Sequence, residues 1–386
     1  MDSIDRLLEQ IASSATTLSQ DERRHVSDRL RDLSISLEDV QLSAQRLLYS
    51  PYQLMALRIG CDLNLWQTLC NSSQPVTVSE LSRTTHAAPL LLGRLLRYMA
   101  SMRLINETDE DTFAANNVTQ TFALPGYDSA VRFYFDYVGP GVARTPSFLL
   151  ERGFKDIDDA GDCPLPVAHG TDLPPFLHLL QMPEMFGHFQ KFMTVQRHGM
   201  PTWLDVYPWQ CAAKEVEPER VFFVDVGGGT GHQCIALRKM LPDLSNRIIN
   251  QDLPPSLAQA GSPPGVEMMV QDFFEPQKIQ GAKIYYMRNI LHDYPDHRAT
   301  TILANTREAM KATPDSVLLI DEMFLGTKGV HWEATQLDIN MMFCLSAIER
   351  TESLWNDLLS KSGFSIRKRY PYTERLGDCV LECVPA

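Results

Sequence analysis

At 386 residues the chain is longer than one hydrophobic core usually organises, and 44% hydrophobic with 9% aromatic content is enough to build two. A formal charge of −13 excludes the broad basic face that nucleic acid or an anionic membrane surface requires. The eight cysteines (61, 70, 163, 211, 234, 344, 379 and 383) form no CxxC pair and no Cys/His set of zinc spacing, and there is neither an apolar leader nor a long apolar run, so a reduced, cytoplasmic protein without a membrane span is expected.

Residues 1–50 read as a helical arm. Ile4, Leu7, Leu8 and Ile11 recur at helical spacing, and Val26, Leu30 and Leu33 continue the stripe after Ser19. Such an arm has no core of its own and must pack on something else. Residues 51–215 form the second predicted region. It opens with an apolar helix over 52–70, stopped by Asn71-Ser72-Ser73-Gln74-Pro75. A short helix capped by Ser79 follows, then a long one opened by Pro89, then two extended pieces in INETDEDTFAAN. Helix, helix, hairpin is a winged-helix outline. Arg94, Arg97 and Arg103 are too few to make it a DNA-binding one. The stretch from 125 to 215 is rich in Phe, Met, Pro and Trp. It reads equally as interdomain core and as the wall of a substrate pocket, with Phe186, Phe189, Met193 and Trp203, joined later by Met341 and Phe343, as the candidate lining.

From residue 216 strand and helix alternate, which predicts an α/β sheet. Strands fall at 221–226, 247–250, 266–270, 283–287, 316–321, 365–370 and 379–384, the last two as an antiparallel hairpin at the edge of a seven-stranded, Rossmann-like sheet. The first runs into DVGGGTGH, where Gly227 and Gly229 permit a tight turn and close approach of a ligand, but His232 breaks the dinucleotide spacing. Asp252 and Leu253 stand at the tip of the second strand, where a carboxylate can take both ribose hydroxyls. Asp272 and Phe273 at the third tip suit an adenine amine and ring. Asp225 either meets the amino-acid end of the ligand or braces the loop; the first is favoured. An adenosine site without a phosphate grip points to S-adenosylmethionine rather than NAD.

The fourth strand runs into MRNILHDYPD, which places His292 on the same edge. A hydroxyl is a poor nucleophile while protonated, and a positioned imidazole can remove its proton. A carboxylate on the other ring nitrogen fixes the tautomer. Glu322, with Asp321 as its alternative, and Glu349 are the candidate partners.

The stretches VDVGGGTG, QDLP, QDFFEP, MRNILHDYPD, LLIDEMFL and IERTESLWNDLLSKSGF strongly resemble the plant- and fungal-type small-molecule O-methyltransferases, the caffeate and flavonoid O-methyltransferase-like family. The likeness reaches the N-terminal half more weakly, at LMALRIGCDLNLW. It implies a class I catalytic domain over 216–386 behind a helical, winged-helix-like dimerisation domain, and hence a homodimer acting on a small apolar molecule. By the same resemblance His292 is the general base and Glu322 and Glu349 flank it. Gly227, Asp252, Asp272, Phe273 and Arg288 contact the cofactor, with Arg288 standing where plant members carry lysine. No carboxylate set for Mg²⁺ is evident, so no metal is expected. One alternative is a member that uses the cofactor's sulfonium as a fixed charge in a dehydration or pericyclic ring closure, a reading that turns on pocket residues such as Arg197 and His198. Another is a catalytically dead scaffold, which would not need its base and acids.

Overall fold

The computed structural model describes residues 2–197, 199–214 and 216–386, the side chains of Asp2 and Gln259 excepted. Two compact units divide the chain between Val131 and Arg132.

The first unit opens with helices Asp2–Ala15, Gln20–Ser36 and Val40–Leu48. Ser19 starts the second of these with a capping box: its hydroxyl accepts from the Glu22 N–H, and the Glu22 carboxylate accepts from the Ser19 N–H at 2.8 Å. The predicted apolar stripe of this arm lies largely open: Ile4, Leu7, Leu8, Ile11, Leu30 and Leu33 are exposed and Val26 is half-buried. The helix expected over 52–70 is two helices, Pro51–Asp62 and Leu65–Asn71. Asn64 breaks it with φ of 49°, a left-handed conformation that asparagine tolerates better than most residues. The next cap is Thr77 rather than Ser79. Its hydroxyl takes the Glu80 N–H, and Glu80 answers by accepting from the Thr77 N–H at 2.9 Å, which starts helix Val78–Thr85 two residues earlier than expected. Helix Pro89–Ser101 follows. Strands β1 (Val76–Thr77), β2 (Asn106–Asp109) and β3 (Thr112–Ala114) make a small antiparallel sheet in the order β1-β3-β2, so this unit is helical apart from its wing. Trp66, Leu69, Leu92, Leu96, Met99 and Phe113 form its core.

The second unit begins with a π-helical turn, Phe133–Val138, running into helix Gly139–Glu151, and short helices follow at Pro164–Ala168, Pro175–Leu180, Pro183–Met193 and Trp209–Lys214. Its seven strands are β4 (Phe223–Val226), β5 (Ile248–Asp252), β6 (Glu267–Val270), β7 (Ile284–Arg288), β8 (Val317–Met323), β9 (Phe364–Pro371) and β10 (Asp378–Pro385), each close to its predicted position. They lie in the order β6-β5-β4-β7-β8-β10-β9. Five run parallel, and β10 enters antiparallel between β8 and β9, as the expected hairpin.

Both sheet faces are covered, so alternate residues of each strand join different cores. Val224, Tyr285, Met287, Leu318 and Ile320 pack on one face with Leu291, Trp355 and Leu358. Phe223, Ile284, Tyr286, Val317 and Leu319 pack on the other with Trp203, Trp209 and Leu237. This alternation decides where the charged residues at the strand tips point.

Candidate active site

The carboxyl ends of β4, β5, β6 and β7 bring the predicted groups to one edge of the sheet. After β4 the chain turns through Gly227, Gly228 and Gly229. A Cβ at Gly228 would lie 2.1 Å from Asn250 Oδ1 and 2.4 Å from Asp225 Oδ2, and one at Gly227 would lie 2.6 Å from Ile290 Cδ1 and 3.3 Å from Phe273 Cε1. No side chain fits either place. Gly229, with φ of 59°, faces open space. Its N–H donates to Asp252 Oδ2 at 2.8 Å, while Asp252 Oδ1 accepts from the Leu253 N–H at 2.7 Å. Each carboxylate oxygen of Asp252 therefore holds one backbone donor and keeps acceptor capacity for another. Leu253 is exposed beside it. Asp272 accepts from the Phe274 N–H at 2.9 Å, which fixes the turn that carries Phe273. Asn250 is fully buried, its amide donating to the Gly229 carbonyl at 2.9 Å and its Oδ1 meeting no donor among the described residues. Asp225 sits behind the glycines with 1% exposure, and burial lifts its carboxyl to about 7, against a weak thiol hydrogen bond from Cys234. The Cys234 thiol lies 3.7 Å from Asp225 Oδ2, directly behind the glycine turn. The glycine cradle, the acceptor pair on Asp252 and the ring of Phe273 fit an adenosyl group.

A second cluster of predicted groups lies at the end of β7. His292 occupies the single 3-10 turn Leu291–Asp293. Its Nδ1 stands 2.8 Å from Glu349 Oε1 and 3.7 Å from Glu322 Oε2, and its Nε2 lies 3.3 Å from Asp293 Oδ1. Glu322 Oε1 accepts the N–H groups of Ile290 and Leu291, both at 2.9 Å, so this acid holds the turn as much as the ring. Its neighbour Asp321 points to the opposite face. There it accepts from the Tyr286 hydroxyl at 2.6 Å and the Tyr372 hydroxyl at 2.7 Å, and it lies 3.4 Å from Arg288 Nε. Strand parity thus gives Glu322 to the histidine and Asp321 to the arginine.

Burial alone would push His292 down, but the carboxylates of Glu322, Asp293 and Glu349 outweigh it and hold the imidazolium up at about 10. Burial raises Glu322 as well. Glu322 Oε2 and Glu349 Oε2 are buried with no hydrogen-bond donor among the described residues, and one ligand atom from each of His292, Glu322 and Glu349 lies within 4.8 Å of the others, so the same trio could grip a metal ion.

Helix Trp332–Leu345 packs against the His292 turn and against helices Gly139–Glu151 and Pro164–Ala168. Phe343 on that helix joins an apolar cluster with Tyr137, Phe133, Tyr134, Phe186 and Phe189. Phe133 stacks on Tyr137 at 5.5 Å and meets Phe189 at 5.4 Å. Of the six predicted lining residues, Phe186, Phe189 and Phe343 share this cluster. Met341 is half-buried nearby in sequence, and Met193 is exposed at a helix end. Trp203 lies elsewhere. It is fully buried, stacked on Tyr286 at 4.2 Å, with its indole N–H on Gln233, and so belongs to the core on the far face of the sheet. Arg197 pairs with the buried Asp378, and His198 lies outside the described residues. The sequence reading missed Phe133, Tyr134 and Tyr137, although FYFDY is a signal. It also missed Asp293 and Asp338, whose Oδ1 accepts the Glu349 N–H at 2.9 Å.

Comparison with known proteins accounts for this arrangement. Residues 214–365 match the O-methyltransferase domain and residues 46–124 the O-methyltransferase dimerisation domain. The chain is 38% identical to O-methyltransferase lepI of Aspergillus flavus over 375 residues, covering 96% of this chain and 95% of that one. It is 36% identical to demethylsterigmatocystin 6-O-methyltransferase of Aspergillus parasiticus, covering 94% and 93%. The solved structure of LepI with S-adenosylmethionine superposes with a TM-score of 0.92 at 36% identity over 100% of this chain and 99% of that one. A structure described as a pericyclic reaction enzyme superposes equally well. The chain belongs to the S-adenosylmethionine-dependent O-methyltransferases. It carries that family's catalytic and dimerisation domains, and no described helix is long and apolar enough to cross a membrane.

Proposed function

We propose that this enzyme moves the methyl group of S-adenosylmethionine to a hydroxyl of a small, apolar, aromatic or polyketide-like secondary metabolite, with His292 as general base, as a cytoplasmic homodimer. One observation carries the reading: Glu349 holds the Nδ1 side of His292 at 2.8 Å, which leaves Nε2 as the ring atom to receive a proton. Gly227, Gly229, Asp252, Leu253, Asp272, Phe273 and Arg288 hold the cofactor, which supplies an electrophilic methyl on a sulfonium. The cluster of Phe133, Tyr134, Phe186, Phe189 and Phe343 receives the acceptor and keeps water from it. His292 takes the hydroxyl proton as the oxygen attacks, and Glu322 and Glu349 stabilise the imidazolium that results. A ring held up at about 10 is mostly protonated at neutral pH, so methylation speeds up as pH rises toward that value.

The same protonated ring favours a second reading. An imidazolium donates a strong hydrogen bond, which suits activation of a carbonyl for dehydration or ring closure without methyl transfer. Incubation with methyl-labelled cofactor and a metabolite extract separates the two: methylation adds label to product and consumes cofactor, whereas the alternative changes the product and spares the cofactor. Replacing His292 by Ala is expected to cut methyl transfer by about 10² to 10⁴, the usual worth of a general base. Turnover within about threefold of wild type at neutral pH would remove the base assignment.

A further inference from the structure

Arg350 has none of its surface exposed, although arginine is almost never fully buried without partners. Its partners surround the base. Nη1 donates to the Leu291 carbonyl at 2.7 Å and Nη2 to the Tyr294 carbonyl at 2.8 Å. Nε and Nη2 both donate to Asp296 Oδ1, at 3.1 and 2.9 Å. Leu291 immediately precedes His292, and Tyr294 and Asp296 follow it. The backbone of the same stretch adds to the grip: the Ile348 N–H donates to the His292 carbonyl at 3.3 Å, and the Arg350 carbonyl accepts from the Leu325 N–H at 3.1 Å, three residues beyond Glu322. Glu349, one residue before Arg350, holds the ring itself.

The turn has little means of holding its own shape. It is a single 3-10 turn, a geometry with poor internal hydrogen bonds, and Asn289 just ahead of it has φ of 51°. A planar fork that engages two carbonyls and one carboxylate fixes the orientation of that turn in a way that the point charge of lysine cannot.

We propose that Arg350 is a positioning residue: it clamps the His292 turn so that Nδ1 stays on Glu349, and thereby sets which ring nitrogen carries the proton. This rests on His292 being the base, but it can be measured without turnover. Full-length protein labelled with ¹⁵N-histidine and recorded with the ring neutral reports the His292 tautomer directly, the signal being assigned by its loss in His292→Ala. In Arg350→Lys the ring should change from one tautomer to a mixture, while S-adenosylmethionine affinity by calorimetry stays within about twofold because the cofactor cradle is untouched. Asp296→Asn alters an exposed partner of the clamp without emptying a buried site. It should mix the tautomers to a smaller extent, and Asp296→Glu should restore the single form. If Arg350→Lys fails to fold, the Asp296 pair decides by the same measurement. An unchanged His292 tautomer in a folded variant overturns the proposal, whatever happens to the rate. Full activity in His292→Ala would instead sink the base reading, and the ring tautomer would still judge the clamp.

Discussion

Replacing Glu349 by Gln keeps the shape of the side chain and removes its charge, at the atom 2.8 Å from His292 Nδ1. Two effects follow. A hydrogen bond between charged partners contributes about 1.5–3 kcal/mol, so the imidazolium loses roughly one to two pH units of stabilisation at about 1.36 kcal/mol per unit. The sign is downward, because an anion that favoured the charged ring is gone. The rising limb of the rate profile, governed in the wild type by a ring held up at about 10, should shift to lower pH. The second effect opposes any gain from that shift. The glutamine amide can donate to Nδ1, which places the ring proton on Nε2 and leaves no lone pair there for the acceptor hydroxyl. Maximal turnover should therefore fall by about 10² to 10⁴ even at the new optimum, the cost of a misplaced base. The assay is initial rate against pH with labelled cofactor, alongside calorimetry of cofactor binding, which should change little. A limb that does not move, or a maximal rate within about threefold of wild type, refutes the assignment of Glu349 to the base.

Asp252→Ala should weaken S-adenosylmethionine binding by about 1.5–3 kcal/mol, since each of its oxygens keeps acceptor capacity beyond its one backbone donor; equal calorimetric affinities would return it to the role of a surface acid. Light scattering should find about twice the 43.7 kDa of one chain, twofold pairing being the commonest solution for an exposed apolar face. Deleting residues 1–45 should lower solubility and activity together, because Ile4, Leu7, Leu8, Leu33 and Leu42 lie open in the single chain; a monodisperse, active monomer would reduce the arm to a packing element. EDTA should leave turnover unchanged, whereas micromolar Zn²⁺ should inhibit by occupying His292, Glu322 and Glu349, whose ligand atoms lie within 4.8 Å of one another. Loss of activity on chelation would reverse the expectation of a metal-independent enzyme.

Much of this molecule was legible in its sequence because local periodicity carries it. Apolar runs ending in Asp225, Asp252, Val270 and Arg288 specify strands, and an α/β sheet then puts their carboxyl tips on one edge whatever the side-chain detail. His292 could be named as a candidate base because it follows such a tip, and Glu349 as its candidate partner because of the motif around it. Tertiary structure alone decided the matters that depend on which way a residue faces. Asp321 and Glu322 are adjacent acids on a fully buried strand, and nothing local separates them. The parity of β8 between two cores sends one to Tyr286, Tyr372 and Arg288 and the other to the His292 turn. Trp203 read as pocket lining because an apolar aromatic is equally at home in a pocket and in a core, and only its stacking on Tyr286 distinguishes them. Asn64 divides a helix that reads as continuous, since a single left-handed residue leaves the apolar spacing around it intact. Arg350 lies 54 residues beyond the carboxylate it grips, a separation across which sequence carries no geometry until the chain has folded.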